Sequence, residues 1–343
     1  MTHELTIVVP AFNEAHRLEE GMGRFDDAVS AGAVDLDRTE VVVVDDGSTD
    51  RTAVVAEKLL ATLPHQRVIR LPSNQGKGAA VRAGMAAARS PYVAYMDADM
   101  AIDPLAVPSL LDGLGQHDVA IGSRALRDSM VETTYVVRSL MGRLFNEIVT
   151  TGTGLGLKDT QCGFKAFRTP VGRLLFHLVR IDRFAFDVEI LARARELGLD
   201  VTEVPVHWKH VEGSTVHPLH DSFAMLSDVH RSRRGRLVGP PVGVLTITPK
   251  RTSDDTVALT RRIGGLLGPV LDGAPVPVVR DPSRVTVLLA MVDPVRVGRA
   301  HAALRAGLDD ADVERRSFGL ADLVRLGPLA GRLDPVAIAD PPD

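Results

Sequence analysis

The stretch Tyr92-Val-Ala-Tyr-Met-Asp-Ala-Asp99 decides how this sequence is read: five uncharged, mostly apolar residues run into two carboxylates spaced two apart. A short apolar run that stops on charge reads as a buried strand opening onto a cleft. The figure recurs upstream. Residues 5–10 run into Ala-Phe-Asn-Glu14, and Glu40-Val-Val-Val-Val-Asp45 runs into Asp46-Gly-Ser48. Helix-like stretches lie between. Leu18, Met22 and Phe25 share one face, Ser48-Thr-Asp50 suits an N-cap before a helix over 53–63, and residues 78–89 are Ala-rich. Further strands are expected at 67–71 and 119–122. Apolar strands alternating with helices predict an α/β fold, with a mostly parallel sheet and helices on both faces. Ligands in such sheets lie beyond the carboxyl ends of the strands. That puts 10–14, 45–48 and 97–99 along one edge.

Composition narrows the class. With 343 residues, 45% hydrophobic and 24% charged, the chain can bury one or two cores. A net charge of −4 gives no general drive toward nucleic acid. The one cysteine, Cys162, excludes an internal disulfide and a Cys-based metal site, in keeping with a reducing compartment. The start, Met1-Thr-His-Glu, lacks the pattern of a secretory signal, and no apolar run is long enough to span a bilayer. A cytoplasmic protein is expected, with any membrane contact peripheral, at the inner face.

Three regions are expected. Residues 1–238 form the main domain, with one half to about 125 and a second over 126–238. A Pro/Gly-rich linker follows over 239–252, and 253–343 is a small C-terminal α/β region of unknown fold. Within it 284–292 is strand-like and 295–304 helix-like. In the second half, Val136, Leu140, Leu144 and Ile148 begin a broad apolar stripe that suits either packing or an interfacial helix. Arg231, Arg233, Arg234 and Arg236 end a second helix-like stretch, as a solvated terminus or a headgroup contact.

Asp97 and Asp99 can share a hard divalent cation, Mg2+ or Mn2+, with diphosphate oxygens completing its shell. The same pair taken alone also fits a solvated turn. Carboxylates at Glu14, Asp45 and Asp46, on the same edge, can accept hydrogen bonds from a nucleoside. Asn74-Gln-Gly-Lys-Gly78 precedes a helix, so its backbone N–H groups and Lys77 can hold an anion.

These strings, Val8-Val-Pro-Ala-Phe-Asn-Glu14, Val43-Val-Asp-Asp-Gly-Ser-Thr-Asp50, Asn74–Gly78 and Asp97-Ala-Asp99, resemble family-2 glycosyltransferases. Gly122-Ser-Arg124, Asp159-Thr-Gln-Cys-Gly-Phe-Lys165 and Phe184-Ala-Phe-Asp-Val-Glu189 are similar to the branch acting on dolichyl phosphate, nearer its glucosyl than its mannosyl side. The likeness covers about residues 4–236. It implies a GT-A fold, a nucleotide-diphospho-sugar donor (UDP-glucose favoured) and a polyprenyl phosphate acceptor, with a nucleotide-binding half to about 125 and an acceptor half over 126–238. It assigns Pro10, Phe12, Glu14 and Asp46 to the nucleoside, and Asp97, Ala98 and Asp99 to metal and diphosphate. Arg124, Arg138 and Gln161 fall to the acceptor, guanidinium forks being suited to phosphate. Two positions depart from the pattern. Ala101 stands where some relatives carry an oxygen ligand, and Thr215 where a basic residue is common, with His207, Lys209 or His210 as substitutes.

Asp187 stays open. A phosphate acceptor is ionised near neutral pH, its second pKa being about 6, and needs no general base. A hydroxyl acceptor would need one, with Asp187 or Asp182 as first candidates. Two alternatives to the polyprenyl phosphate enzyme remain: the same fold and donor with a soluble hydroxyl acceptor, and a non-catalytic nucleotide-sugar-binding regulatory protein.

Overall fold

The computed structural model describes residues 3–132, 154–209, 211, 240–250, 256–281, 283–324, 326, 329 and 333–335. Five strands open the chain: β1 (Leu5–Ala11), β2 (Thr39–Asp45), β3 (Gln66–Arg70), β4 (Tyr92–Met96) and β5 (Val119–Ser123). Between them lie helices α1 (Ala15–Ser30), α2 (Thr52–Leu60), α3 (Lys77–Ala87) and α4 (Val107–Leu114). Successive side chains point to opposite faces of a strand. Val8, Val42, Val44 and Tyr95 accordingly enter one core with Ala80, Val81 and Met85 of α3. Ile7, Val9, Val41 and Val43 enter another with Leu18, Phe25 and Leu60. Every residue of β1 and β2 is buried, because helices cover both faces.

After β5 come β6 (Met130–Glu132), β7 (Phe164–Arg168), α5 (Thr169–Leu178), α6 (Phe186–Glu196), β8 (Val201–Pro205) and β9 (His207–Lys209). The main sheet has the order β3-β2-β1-β4-β7-β5-β8, while β6 and β9 pair apart from it. β7 lies antiparallel to both β4 and β5; the other pairings of this sheet are parallel. Its direction matters for the site. Phe164, where β7 begins, sits opposite Met96, where β4 ends. The preceding string, 159–163, is thereby delivered to the edge that carries Asp97.

The expected linker over 239–252 is corrected by a strand. β10 (Val242–Pro249) is an interior member of an antiparallel sheet ordered β13-β10-β12-β11-β14, with β11 (Pro277–Asp281), β12 (Arg284–Leu289), β13 (Ala311–Phe318) and β14 (Leu333–Pro335). Helices α7 (Thr256–Leu271), α8 (Pro294–Gly307) and α9 (Leu320–Val324) complete the C-terminal region. The alternation along β10 explains why it is ordered. Leu245 and Ile247 pack on Leu259, Ile263 and Leu267 of α7 and Ala300 and Leu304 of α8. Val242 and Val244 face the other way, into the core that holds Leu174, Leu175 and Phe176 of α5. The two sheets thus share a hydrophobic core through α5, and a chain cut near residue 238 would bare that face to water.

Candidate active site

The β1–α1 and β2–α2 loops are laced together. Asn13 takes the left-handed conformation (φ 53°), which Asn tolerates better than most residues. Its Oδ1 accepts from Thr49 N–H (2.9 Å). In return Asn13 N–H donates to Ser48 Oγ (2.9 Å), and Glu14 N–H donates to Thr52 Oγ1 (2.9 Å). Asp50 receives the N–H of Thr52 at 2.9 Å, a local side-chain turn just ahead of α2. Phe12 stands 40% exposed at the mouth, its ring open to a flat ligand.

The two carboxylates of the Asp-Asp-Gly-Ser turn are largely committed inside the protein. Asp45 is fully buried; its Oδ1 accepts from Ser48 N–H (3.0 Å), and Arg70 Nε lies 3.3 Å from Oδ2. Asp46 accepts Gln75 N–H at Oδ1 (2.8 Å) and Gly76 N–H at Oδ2 (2.7 Å). Burial raises its carboxyl above the ordinary range, against the pull of those two donors.

The loop over 74–78 does not present the anion cradle expected of its backbone. Gln75 and Gly76 donate to Asp46, while Gly78 and Ala79 N–H both donate to the carbonyl of Asp182, at 2.7 and 3.3 Å. Gly76 is obligatory here: φ is 109°, and an added Cβ would fall on that same carbonyl oxygen. What the loop does offer is Lys77. Its Nζ lies 2.5 Å from Asp97 Oδ1. Burial works against its charge, but Asp97, Asp187 and Asp99 outweigh it and hold the ammonium above its usual range.

Asp97, Ala98 and Asp99 form a turn at the end of β4, braced by α1. Arg24 Nη1 donates to the carbonyl of Asp99 (2.6 Å), and Gly21 allows the helix to touch the carbonyl of Ala98. Asp99 is 8% exposed; its Oδ1 accepts from Ala101 N–H (3.0 Å) and its Oδ2 pairs with Arg17. Arg17 also reaches Glu14 Oε1 at 2.7 Å. Burial, together with Asp99, Asp97 and Asp50, pushes the Glu14 carboxyl up to about 7 despite Arg17, and its Oε2 is buried without a hydrogen-bond partner. Such crowding of negative charge around oxygen donors fits a hard divalent cation. Among the described residues no trio of His, Cys, Asp and Glu converges as a metal cage. Asp97 and Asp99 are the carboxylates placed to hold such an ion, with diphosphate and water able to supply the rest.

The antiparallel β7 brings two further units to this edge. Lys165 is fully buried within it and donates to Asp187 Oδ1 (2.5 Å) and to the carbonyl of Cys162 (2.6 Å). Tyr95 O–H donates to the same oxygen of Asp187, and burial keeps that phenol well above its usual pKa. Asp187, a first candidate for the base that a hydroxyl acceptor would need, is thus 4% exposed and holds two buried donors. The alternative base, Asp182, pairs with Arg82 Nη1 at 2.6 Å.

Arg124 and Asp159 form the second unit. Arg124 Nε donates to Asp159 Oδ2 (2.7 Å) and Nη2 to Oδ1 (2.9 Å), a two-pronged pair. Burial opposes the ionised Asp159, and Arg124 more than offsets it, holding the carboxyl below its usual range. Arg124 keeps 35% side-chain exposure, and its charge is felt alongside that of Asp97. Gly163 lies so close that a Cβ there would fall on the Asp97 carboxylate.

The expected site residues therefore converge in large part. Pro10 is buried in β1, one residue before its end at Ala11, and Gln161 sits half-buried in the string between Asp159 and Cys162. Cys162 is fully buried, its thiol pushed up by burial to about 12, which marks a packing residue. Ala101, lacking an oxygen ligand, contributes its backbone: its N–H holds Asp99 and its carbonyl accepts from Lys209 N–H (2.8 Å). His207 Nε2 is engaged with Glu132 (2.8 Å). Arg138, His210, Thr215, the stripe beginning at Val136 and the arginines at 231–236 lie outside the described residues. Sequence reasoning missed Arg17 and Lys165. Glu14-x-x-Arg17 is a helical i,i+3 spacing, and a lone Lys in an apolar run invites a buried partner; both signals were present.

Comparison with known proteins agrees with this geometry. A sequence profile described as Glycosyl transferase family 2 matches residues 6–173. A dolichyl-phosphate beta-glucosyltransferase of Dictyostelium discoideum is 36% identical over 249 residues, covering 68% of this chain and 75% of that protein. A protein of the same description from Drosophila melanogaster is 36% identical over 241 residues, covering 66% and 73%. Among solved structures, glucosyl-3-phosphoglycerate synthase from Mycobacterium tuberculosis, determined with Mn2+, UDP-glucose and phosphoglyceric acid, has a TM-score of 0.51 at 22% identity. That match covers 68% of this chain and 80% of the other, and what it shows is a shared fold, the GT-A arrangement.

Proposed function

The chain belongs to glycosyltransferase family 2, and from that premise we propose that it transfers glucose from UDP-glucose to the phosphate of a polyprenyl phosphate. The observation that carries the acceptor class is the state of the two candidate bases. Asp187 is held by Lys165 and Tyr95, and Asp182 by Arg82. A hydroxyl acceptor needs a group free to take its proton, whereas a phosphate monoester is already ionised. The description of the relatives, dolichyl-phosphate beta-glucosyltransferase, supports the same choice of lipid phosphate and sugar.

In this reading Phe12 and Pro10 flank the base and Glu14 the nucleoside, with Asp46 shaping the pocket by pinning residues 75 and 76. Asp97 and Asp99 would hold a divalent cation, which when bound neutralises charge on the departing diphosphate. Lys77, tethered to Asp97, adds a fixed positive charge beside the diphosphate. Arg124, held flat by Asp159, positions the acceptor phosphate through the guanidinium edge left free, with Arg138 and Gln161 as further contacts. An acceptor phosphate oxygen attacks the anomeric carbon as its bond to UDP breaks, so the configuration inverts and UDP leaves with the electron pair.

Steady-state kinetics on Arg124→Lys test the acceptor assignment, because Lys keeps a charge beside Asp159 while losing the planar fork. The polyprenyl phosphate KM should rise about tenfold or more and kcat should fall, with the UDP-glucose KM nearly unchanged. Acceptor kinetics equal to wild type would refute a role for Arg124 in holding the phosphate.

A further inference from the structure

At the end of α3 opposite Lys77, a cleft of about 150 Å³ opens where the main domain meets the C-terminal region. Arg173 of α5 and Arg89, just past α3, line it from one side; Asp293 and Arg296, at the start of α8, line it from the other. Leu271 and Ala274 add an apolar wall. None of these residues takes part in the site beside Asp97.

Arg173 is the unusual member. It is 3% exposed, yet its hydrogen bonds go to main-chain carbonyls, Ala86 (2.7 Å) and, longer, Met85 (3.5 Å). Among the described residues its Nε is buried without an acceptor. Burial, and then the like charge of Arg89, pulls its guanidinium down to about 10, with no carboxylate among the described residues to oppose them. Removing an ion from water without a counter-charge is costly, so buried guanidinium groups are normally paired. Arg89 Nη1 also donates to carbonyls, those of Ala86, Ala87 and Ala88. Of the carboxylates nearby, Asp272 and Asp293 both pair with Arg296, at 2.8 and 3.3 Å, while Asp272 and Glu40 act on Arg89 only at longer range. Three guanidinium groups therefore meet at a cleft whose negative charge lies on one side.

We propose that this cleft binds a phosphate-class anion, held by Arg173, Arg89 and Arg296, which bridges the main domain and the C-terminal region. Several oxygens on one compact anion suit converging guanidinium forks better than a single carboxylate does. A cleft of this size has room for a compact anion such as orthophosphate or pyrophosphate. The bound anion supplies the counter-charge that Arg173 lacks and fastens α5 to α8.

Isothermal titration calorimetry of the full chain with orthophosphate, and then pyrophosphate, tests this directly. Saturable binding is expected to persist in Arg124→Lys, which alters the acceptor site. It should weaken about tenfold or more in Arg296→Ala, the loss expected for a charge-assisted contact. Arg173→Gln should weaken it as much; should that variant not fold, Arg296→Ala and Arg89→Ala carry the test. The same anions should raise the thermal midpoint of the wild type, and raise that of Arg296→Ala by clearly less at the same anion concentration. Absence of saturable binding to the wild type would overturn the proposal. So would binding that is lost in Arg124→Lys and unchanged in Arg296→Ala and Arg89→Ala.

Discussion

Replacing Asp187 with Asn exchanges one carboxylate oxygen for an amide and leaves the side-chain volume almost unchanged. The consequence falls on Lys165, whose side chain is fully buried and whose ion pair is with Asp187. After the substitution Nζ retains the carbonyl of Cys162 at 2.6 Å but loses its counter-charge. Breaking a buried pair from one side costs about 3–5 kcal/mol, because the remaining charge is stranded. Against a total stability of about 5–15 kcal/mol, that is a large loss. Urea unfolding followed by circular dichroism should show a much lower midpoint for Asp187→Asn. Adding Lys165→Met to the same chain should recover most of the loss, since removing both charges from a buried site is close to neutral. A catalytic base at this position requires the opposite pattern: a variant as stable as wild type with turnover abolished. A wild-type unfolding midpoint in Asp187→Asn would refute the assignment of this carboxylate to the support of the site.

Gly21→Ala should damage catalysis from the back of α1, since its Cβ would fall on the backbone oxygen of Ala98 and push the helix off the Asp97–Asp99 turn. A stability loss of about 1–3 kcal/mol is expected, with the concentration of Mn2+ needed for half-maximal turnover raised; a protein with wild-type stability and metal response would contradict it. Asp46→Ala should cost about 0.5–1.5 kcal/mol for each of the Gln75 and Gly76 hydrogen bonds, since water can reach those N–H groups, and loosen the loop that carries Lys77. The UDP-glucose KM should rise in that variant while the acceptor KM stays put, which initial-rate measurements can read.

Much of the nucleotide-binding half was legible because its signals are local. β1, β2 and β4 are short apolar runs ending on Asn, Asp or Glu, and those ends mark the ligand edge without knowledge of any partner. β7 escaped notice for a physical reason: Phe-Lys-Ala-Phe-Arg carries a charge in mid-strand, tolerable only because Asp187 and Tyr95 arrive from distant elements. β10 was hidden by the prolines and glycines around it, and its order comes from two cores that lie on opposite faces. The roles of Asp46 and Asp187 were the hardest to foresee. A carboxylate that reaches for a ligand and one that holds a loop or a buried lysine look alike until their partners, 29 and 22 residues away, are in place.

The central claim is that this chain moves glucose from UDP-glucose onto a lipid phosphate, and product mass tests it most directly. Purified full-length protein, UDP-glucose and Mn2+ should be given a short polyprenyl phosphate or the matching polyprenol, and the lipid analysed by mass spectrometry. The account predicts one added hexose on the phosphate, release of UDP, loss of turnover with excess chelator, and no product from the alcohol. Glucosylated polyprenol with unmodified polyprenyl phosphate, or UDP-glucose left unconsumed with either lipid, would contradict it.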